Sequence, residues 1–280
     1  YQNDELALVG SAADSFHLRI AGSTLEVFRN TPPDQAPPTQ SIPLSSLSRL
    51  RLQGGQYTLA SNLAGLELYL ENDSQVKLAS SQRLGVLSFS PTAVLDLADH
   101  DLIVNASPET KQAVLAAISN AIKSARGSEG QWQGTGLTSS AAQANHQTGL
   151  AVMLNEKDGK PILTTFDGQS VNENDILVMY SWNGDVVLNG VIDGDDYFLV
   201  DSGFISQLHG YQNGDVNFDG VVDGDDYFLI DSAFITQAGM LAEEEVPVQT
   251  EGVGVKAAAK PPSQQTLPVL AQLFSAKPVL

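Results

Sequence analysis

Two stretches of this chain are near copies of each other, set 30 residues apart. Gly184–Gln207 reads GDVVLNGVIDGDDYFLVDSGFISQ and Gly214–Gln237 reads GDVNFDGVVDGDDYFLIDSAFITQ, in agreement at 17 of 24 positions. In the second copy Asp215, Asn217, Asp219, Gly220, Asp223 and Asp226 fall at positions 1, 3, 5, 6, 9 and 12 of a calcium loop. Calcium takes six to eight hard oxygen ligands, and alternate side chains of a tightly curled loop converge on one point. Gly220 permits the sharp turn, the carbonyl of Val221 supplies the seventh-position oxygen, and Asp226 closes the shell from the first turn of a helix over about 225–237. That helix is expected to offer Tyr227, Ile230 and Phe234 along one face, and the Tyr-Phe-Leu runs at 197–199 and 227–229 to pack the two helices together. The first loop keeps Asp185, Asn189, Gly190, Asp193 and Asp196, with Val191 as carbonyl donor. It has Val187 where an oxygen is expected and Asn189 in place of a carboxylate. The spacing therefore predicts two calcium sites, the second stronger than the first.

Charge distribution agrees. Of the 33 acidic residues, 11 are aspartates in residues 181–240, a stretch with no Glu, Lys or Arg. Unpaired carboxylates at that density repel one another unless solvent or a cation neutralises them. The net charge of −19 argues against DNA, RNA and anionic membranes as partners, since each needs a basic surface. With no cysteine, disulfide frameworks, thiolate catalysis and thiolate metal sites are excluded. No apolar run reaches the roughly 18 residues that span a bilayer. A chain of 280 residues is expected to form about two domains and to bury about three quarters of its unfolded surface. It begins at Tyr1 without an initiator Met and reads as a processed piece.

Ahead of the repeats, residues 1–106 read as a β-repeat region. Short β-prone runs with one-in, one-out alternation, such as Leu50-Arg51-Leu52 and Leu66-Glu67-Leu68-Tyr69-Leu70, recur every 7 to 10 residues from Leu50 onward. That spacing suits a parallel β-solenoid, preferred for its short LxL pulses, or a β-sandwich. Thr31–Gln40, with four prolines, is expected to be a protruding loop. Residues 107–180 are expected to be a helix followed by connecting β segments. Ser107 is placed to cap the helix, Val114, Ile118 and Ile122 line its apolar stripe, and Lys123 and Arg126 occupy its last turn. Residues 241–280 read as a Pro-rich disordered tail with a short apolar end at Leu267–Leu280.

The repeat pair resembles a dockerin type I module: two calcium loops, each followed by one helix, with Asp rather than Glu at the last ligand. The resemblance covers about a fifth of the chain. It implies a compact calcium-dependent helical module, often C-terminal in secreted bacterial proteins and docking onto a partner domain. Dockerins usually dock through paired small hydroxyl residues just before the last ligand; here those places hold Gly194-Asp195 and Gly224-Asp225. The wider layout resembles the C-terminal regions of large bacterial surface or autotransporter-like proteins.

Outside the loops no pattern demands catalysis. His17, His100, His146 and His209 are scattered singly, Gly134-Thr135-Gly136 lacks the rest of a phosphate loop, and Ser139 and Ser140 have no nucleophile-elbow context. Trp132 reads as a core anchor. The expected function is a non-enzymatic, secreted calcium-binding surface module, its loop pair acting as a calcium-stabilised knob or docking element. Its partners would be another protein or a second copy of the chain, met through the β region or the loop pair, with carbohydrate as a candidate ligand. The alternative is a fragment of a β-helix polysaccharide lyase or hydrolase using Asp96, Asp99 and Asp101.

Overall fold

The computed structural model describes residues 4–244. The chain is mainly β, with several sheets and few helices. The strands run β1 (Glu5–Val9), β2 (Ser15–Ala21), β3 (Thr24–Arg29), β4 (Gln40–Pro43), β5 (Arg49–Gln53), β6 (Gln56–Leu59), β7 (Glu67–Glu71) and β8 (Gln75–Leu78). They continue with β9 (Gln82–Leu84), β10 (Val86–Phe89), β11 (Val94–Asp96), β12 (Leu102–Val104), β13 (Gly136–Thr138) and β14 (Thr148–Leu154). Two short hairpins follow, β15–β16 (Glu156–Lys157, Lys160–Pro161) and β17–β18 (Thr165–Phe166, Gln169–Ser170), and then β19 (Ile176–Trp182). The helices are α1 (Lys111–Arg126), α2 (Ser140–Ala144), α3 (Gly194–Ser206) and α4 (Gly224–Glu244).

Pairing in the N-terminal region is largely parallel, and β5, β7 and β10 on one sheet, like β6, β8 and β11 on another, follow one another at nearly constant steps. Arg49 lies beside Glu67 and Glu67 beside Val86, steps of 18 and 19 residues. On the second sheet Gln56 lies beside Gln75 and Gln75 beside Val94, two steps of 19. Because side chains alternate along a strand, in-register stacking puts like on like. Leu50 sits beside Leu68 and Leu52 beside Leu70, all four sealed from solvent, while Phe16, Tyr57, Val76, Leu95 and Leu137 form the equivalent row on the other sheet. Outward positions of the first sheet carry alternating charge instead: Arg49 and Arg51 bridge Glu5, Glu67 and Glu71. The proline-rich segment lies between the antiparallel strands β3 and β4, and Trp132 is a core residue at 5% exposure.

A third sheet, ordered β14-β19-β12-β9, joins this region to the repeats. Its long strands β14 and β19 are buried on both faces, covered on one by α1, whose Ile118, Ile122 and Ala125 are buried. Several local expectations are corrected. The first helix starts at Lys111, since Ser107 forms a turn in which its carbonyl accepts from Thr110 and Lys111; Thr110, not Ser107, occupies the cap position. The stretch 127–149, between the helix and the next long strand, contains β13 and the short α2, capped by Ser139, whose Oγ accepts from Ala142 N at 2.9 Å. Helix α4 runs to Glu244, so residues 241–244 are helical where a disordered tail was expected. The rest of that tail, with Leu267–Leu280, lies outside the described residues.

Among the described residues no helix is long and apolar enough to cross a membrane.

Candidate metal centre

The two loops share one backbone path. Gly184 and Gly214, just ahead of each loop, have φ near +100°. A β-carbon at Gly184 would lie 2.5 Å from Ile230, and one at Gly214 would lie 2.7 Å from Val200. Each glycine thus lets the opposite helix pack against the loop entrance. The pair exchanges further reciprocal contacts: Tyr197 donates to Asp231 at 2.7 Å and Tyr227 to Asp201 at 2.5 Å. At loop position 4, Leu188 and Phe218 also have positive φ. Both are buried in the apolar cluster that fills the β region, where Phe218 stacks on Tyr211 at 5.3 Å.

The last carboxylate of each loop organises its backbone. Asp226 Oδ1 accepts from Val216 N at 2.8 Å and Asn217 N at 3.1 Å, and Oδ2 from Asp223 N at 2.9 Å. Asp196 repeats this with Val186 N, Val187 N and Asp193 N at 2.9, 3.1 and 3.0 Å. Asp193 and Asp223 cap α3 and α4 by accepting from Asp195 N and Asp225 N. Asn189 and Asn217 accept from Val191 N and Asp219 N, tightening each turn, and Asp219 accepts in the same way from Val221 N.

The first carboxylates differ. Asp185 is fully buried and satisfied, accepting from Asn189 N at 3.0 Å, Gly190 N at 2.8 Å and the Ser181 hydroxyl. Asp215, at 4% exposure, accepts from Gly210 N at 3.3 Å through Oδ2 and feels the nearby Gly220 amide, but its Oδ1 is buried without a hydrogen-bond partner. An unpaired anionic oxygen sealed from water is costly and suits a cation. Burial raises the pKa of the first and last carboxylate of each loop. Asp226 is pushed up to about 6 and Asp215 upward. Asp185 also moves up by burial, and Asp196 by burial together with the charge of Asp185 beside it.

Among the described residues no three His, Cys, Asp or Glu side chains converge as a ready-made metal cage. The carboxylates of each loop lie instead against the loop's own amides. The donors that calcium would use are all oxygens, from Asp, Asn and the Val191 and Val221 carbonyls, which is the hard set that ion prefers. With its orphaned Oδ1, loop two fits the ion.

Neighbours that the sequence pattern does not reveal complete the site. Arg126, at the end of α1, is buried and donates to the carbonyl of Asn217 at 3.2 Å, and Lys123 donates to that of Asp219 at 3.4 Å. In the sequence both read as ordinary last-turn cations. Gln237 binds Ile192 through both its backbone groups, at 2.7 and 3.0 Å. The expected helix face needs only partial correction. Ile230 is fully buried and Tyr227 packs against the same small cluster, Ala233 joins them, and Phe234, though 42% exposed, meets the Tyr197 ring edge-on at 6.1 Å. Of the Tyr-Phe-Leu runs, Leu199 and Leu229 turn toward the β region while Phe198 and Phe228 face outward.

No family model, no curated protein and no solved structure matches the chain.

Proposed function

We propose that this chain is a secreted or cell-surface structural module in which a dockerin-like pair of calcium loops locks onto a short parallel β-solenoid. The observation that carries the reading is the orphaned Oδ1 of Asp215, inside a loop whose spacing, turn glycine and oxygen donors follow a calcium-loop pattern. The solenoid reading rests on the 18- and 19-residue steps between stacked parallel strands. Bound calcium would supply two positive charges to each loop, where burial raises two carboxylates, Asp185 and Asp196 in the first and Asp215 and Asp226 in the second. The chain's own residues do the rest. Asp226 and Asp196 hold the loop amides, Asp215 offers a free first oxygen where Asp185 would have to share one already bonded, and Leu188 and Phe218 fasten the loops to the β region. A ligand that favours the folded state adds about 2.7 kcal/mol at a hundredfold excess over its dissociation constant.

A docking role draws support from the outward faces of α3 and α4. Phe198 and Phe228, 52% and 70% exposed, and Ile205 and Ile235, 78% and 71% exposed, repeat at 30 residues and give the two helices matching apolar surfaces. A non-enzymatic reading draws support from the dispersal of the three candidate carboxylates. Asp96 is held by Ser140 N and Ala98 N, Asp101 is buried beneath Tyr180 N, and Asp99 is 43% exposed in a turn.

Calcium titration by calorimetry, paired with thermal melts in calcium and in chelator, tests the proposal. Two sites of unequal affinity and a calcium-dependent melt are expected. Absence of binding at millimolar calcium would overturn it.

A further inference from the structure

The outer face of the seven-stranded sheet carries a groove of about 590 Å3, lined by none of the loop residues. Parallel register brings His17, Thr58, Lys77, Asp96 and Thr138 to one level on five adjacent strands, β2, β6, β8, β11 and β13. Neighbouring strands are about 4.8 Å apart, so this row is ~19 Å long. One level further along the strands, Gln56, Gln75 and Val94 form a second row. Ser140 and Gln143 of α2 wall the groove, with Trp132 beside them.

Its charges are already cancelled. Lys77 Nζ lies 3.6 Å from Asp96 Oδ2 and donates to Ser140 Oγ at 3.2 Å, while Asp96 Oδ1 accepts from Ser140 N at 2.7 Å and Ala98 N at 2.8 Å. Other groups are left open. The side chains of His17, Thr58 and Gln143 bond no other described residue, and the amides of Gln56 and Gln75 reach only backbone carbonyls at 3.4 Å. The groove is thus a periodic row of neutral donors and acceptors beside the apolar surface of Val94, which suits hydroxyl groups on a partly apolar ring.

We infer that this groove binds a neutral, linear oligosaccharide lying across the strands, one sugar ring to about one strand step. A pyranose ring advances a linear chain by close to that spacing. A polyanionic glycan would meet one cation, already paired, on a chain of net charge −19. An added peptide strand would find no free backbone groups, because β2, β6, β8 and β11 are each paired on both sides. Asp96 is the one carboxylate lining the groove, where glycoside hydrolysis ordinarily uses two, so the site binds without cleaving.

The inference is independent of the calcium reading. Its test is calorimetric titration of the chain, in calcium, with neutral hexaoses of β-1,4-linked glucose, β-1,4-linked mannose and α-1,4-linked glucose, against a galacturonate hexamer. One neutral hexaose is expected to bind one to one. The Gln56→Ala, Gln75→Ala double variant should weaken it roughly tenfold with an unchanged melt, as loss of two hydrogen bonds requires. Thr58→Val, which keeps side-chain volume, should weaken it roughly threefold. Chelator should leave the affinity unchanged in any preparation that remains folded. Failure of all three neutral hexaoses to bind at millimolar concentration overturns the inference. So does binding of the galacturonate alone, or binding that survives both variants undiminished.

Discussion

Loop one and loop two have the same skeleton and opposite states of completion. In both, the last aspartate ties down three amides and a residue at positive φ drives its side chain into the β region. In loop one the first aspartate is saturated: Ser181, Asn189 and Gly190 all donate to Asp185. In loop two its counterpart keeps one oxygen unpartnered, and the nearest cations, Arg126 and Lys123, reach carbonyls rather than that oxygen. Loop one is thus arranged to persist on protein hydrogen bonds, and loop two carries a deficit that an ion would fill. The same difference is foreshadowed where Val187 stands in loop one and Asn217 in loop two.

The sharpest way to break this comparison is to remove each closing aspartate. In calcium, Asp226→Ala is expected to lower the melting temperature about 5–10 °C further than Asp196→Ala, the equivalent of losing the stronger site. In chelator the two variants should cost alike, since each strands three amides. Equal effects in calcium would remove the ranking of the loops.

Acidity gives the next largest effect. The folded values for Asp226, about 6, and for the buried Asp101, about 7, lie above the ordinary 3.8, chiefly through burial, and those of Asp185 and Asp196 also lie above it. A carboxyl raised by folding favours the folded state when protonated. Without calcium, stability should therefore be greatest near pH 4 among these groups and decline as the pH rises through 6 and 7. Calcium should flatten or reverse that slope by favouring the ionised loop carboxylates, leaving the part due to Asp101, which Asp101→Asn should then remove. Melts across pH 4–8, with and without calcium, read both slopes; an apo slope of the opposite sign would contradict the burial argument.

Arg126→Met separates fold from ion. Loss of its bond to Asn217 should cost about 1–2 kcal/mol in denaturant unfolding, while loss of a positive charge near Asp215, Asp219 and Asp226 should tighten calcium at loop two severalfold in calorimetry. If both stability and affinity fell, the guanidinium would be part of the binding geometry. The smallest effect belongs to Ser181→Ala, about 1 kcal/mol in unfolding, confined to loop one and leaving calcium binding at loop two unchanged.

What the sequence disclosed follows the range of the forces involved. Oxygen side chains at fixed offsets in a curled loop are a local pattern, so the ligand positions of Asp215 to Asp226 could be marked directly. Short apolar pulses such as Leu50-Arg51-Leu52 and Leu66 to Leu70 mark β5 and β7, because alternation is also local. The first strand, β1, has the same pulse in Leu6-Ala7-Leu8 but with Ala7 in place of a polar residue, and its place depends on pairing with β5, 44 residues on. Arg126 lies 91 residues from Asn217, and nothing in its own helix sets it apart from a last-turn cation. The inward face of α4 depends on a distant residue too. Gly184, on the opposite loop, lets Ile230 seat fully, while Phe234 stays 42% exposed with its ring edge-on to Tyr197.

Leu188 and Phe218 have a mechanical consequence. Each sits in mid-loop, and each is buried with the side chains of the stacked strands. A load applied along α4 is shared between Leu229, packed against the β region, and loop two, where it meets Phe218 seated against Tyr211. The loops are anchors under tension, and whatever stiffens their curl raises the force at which the helices peel away from the sheet.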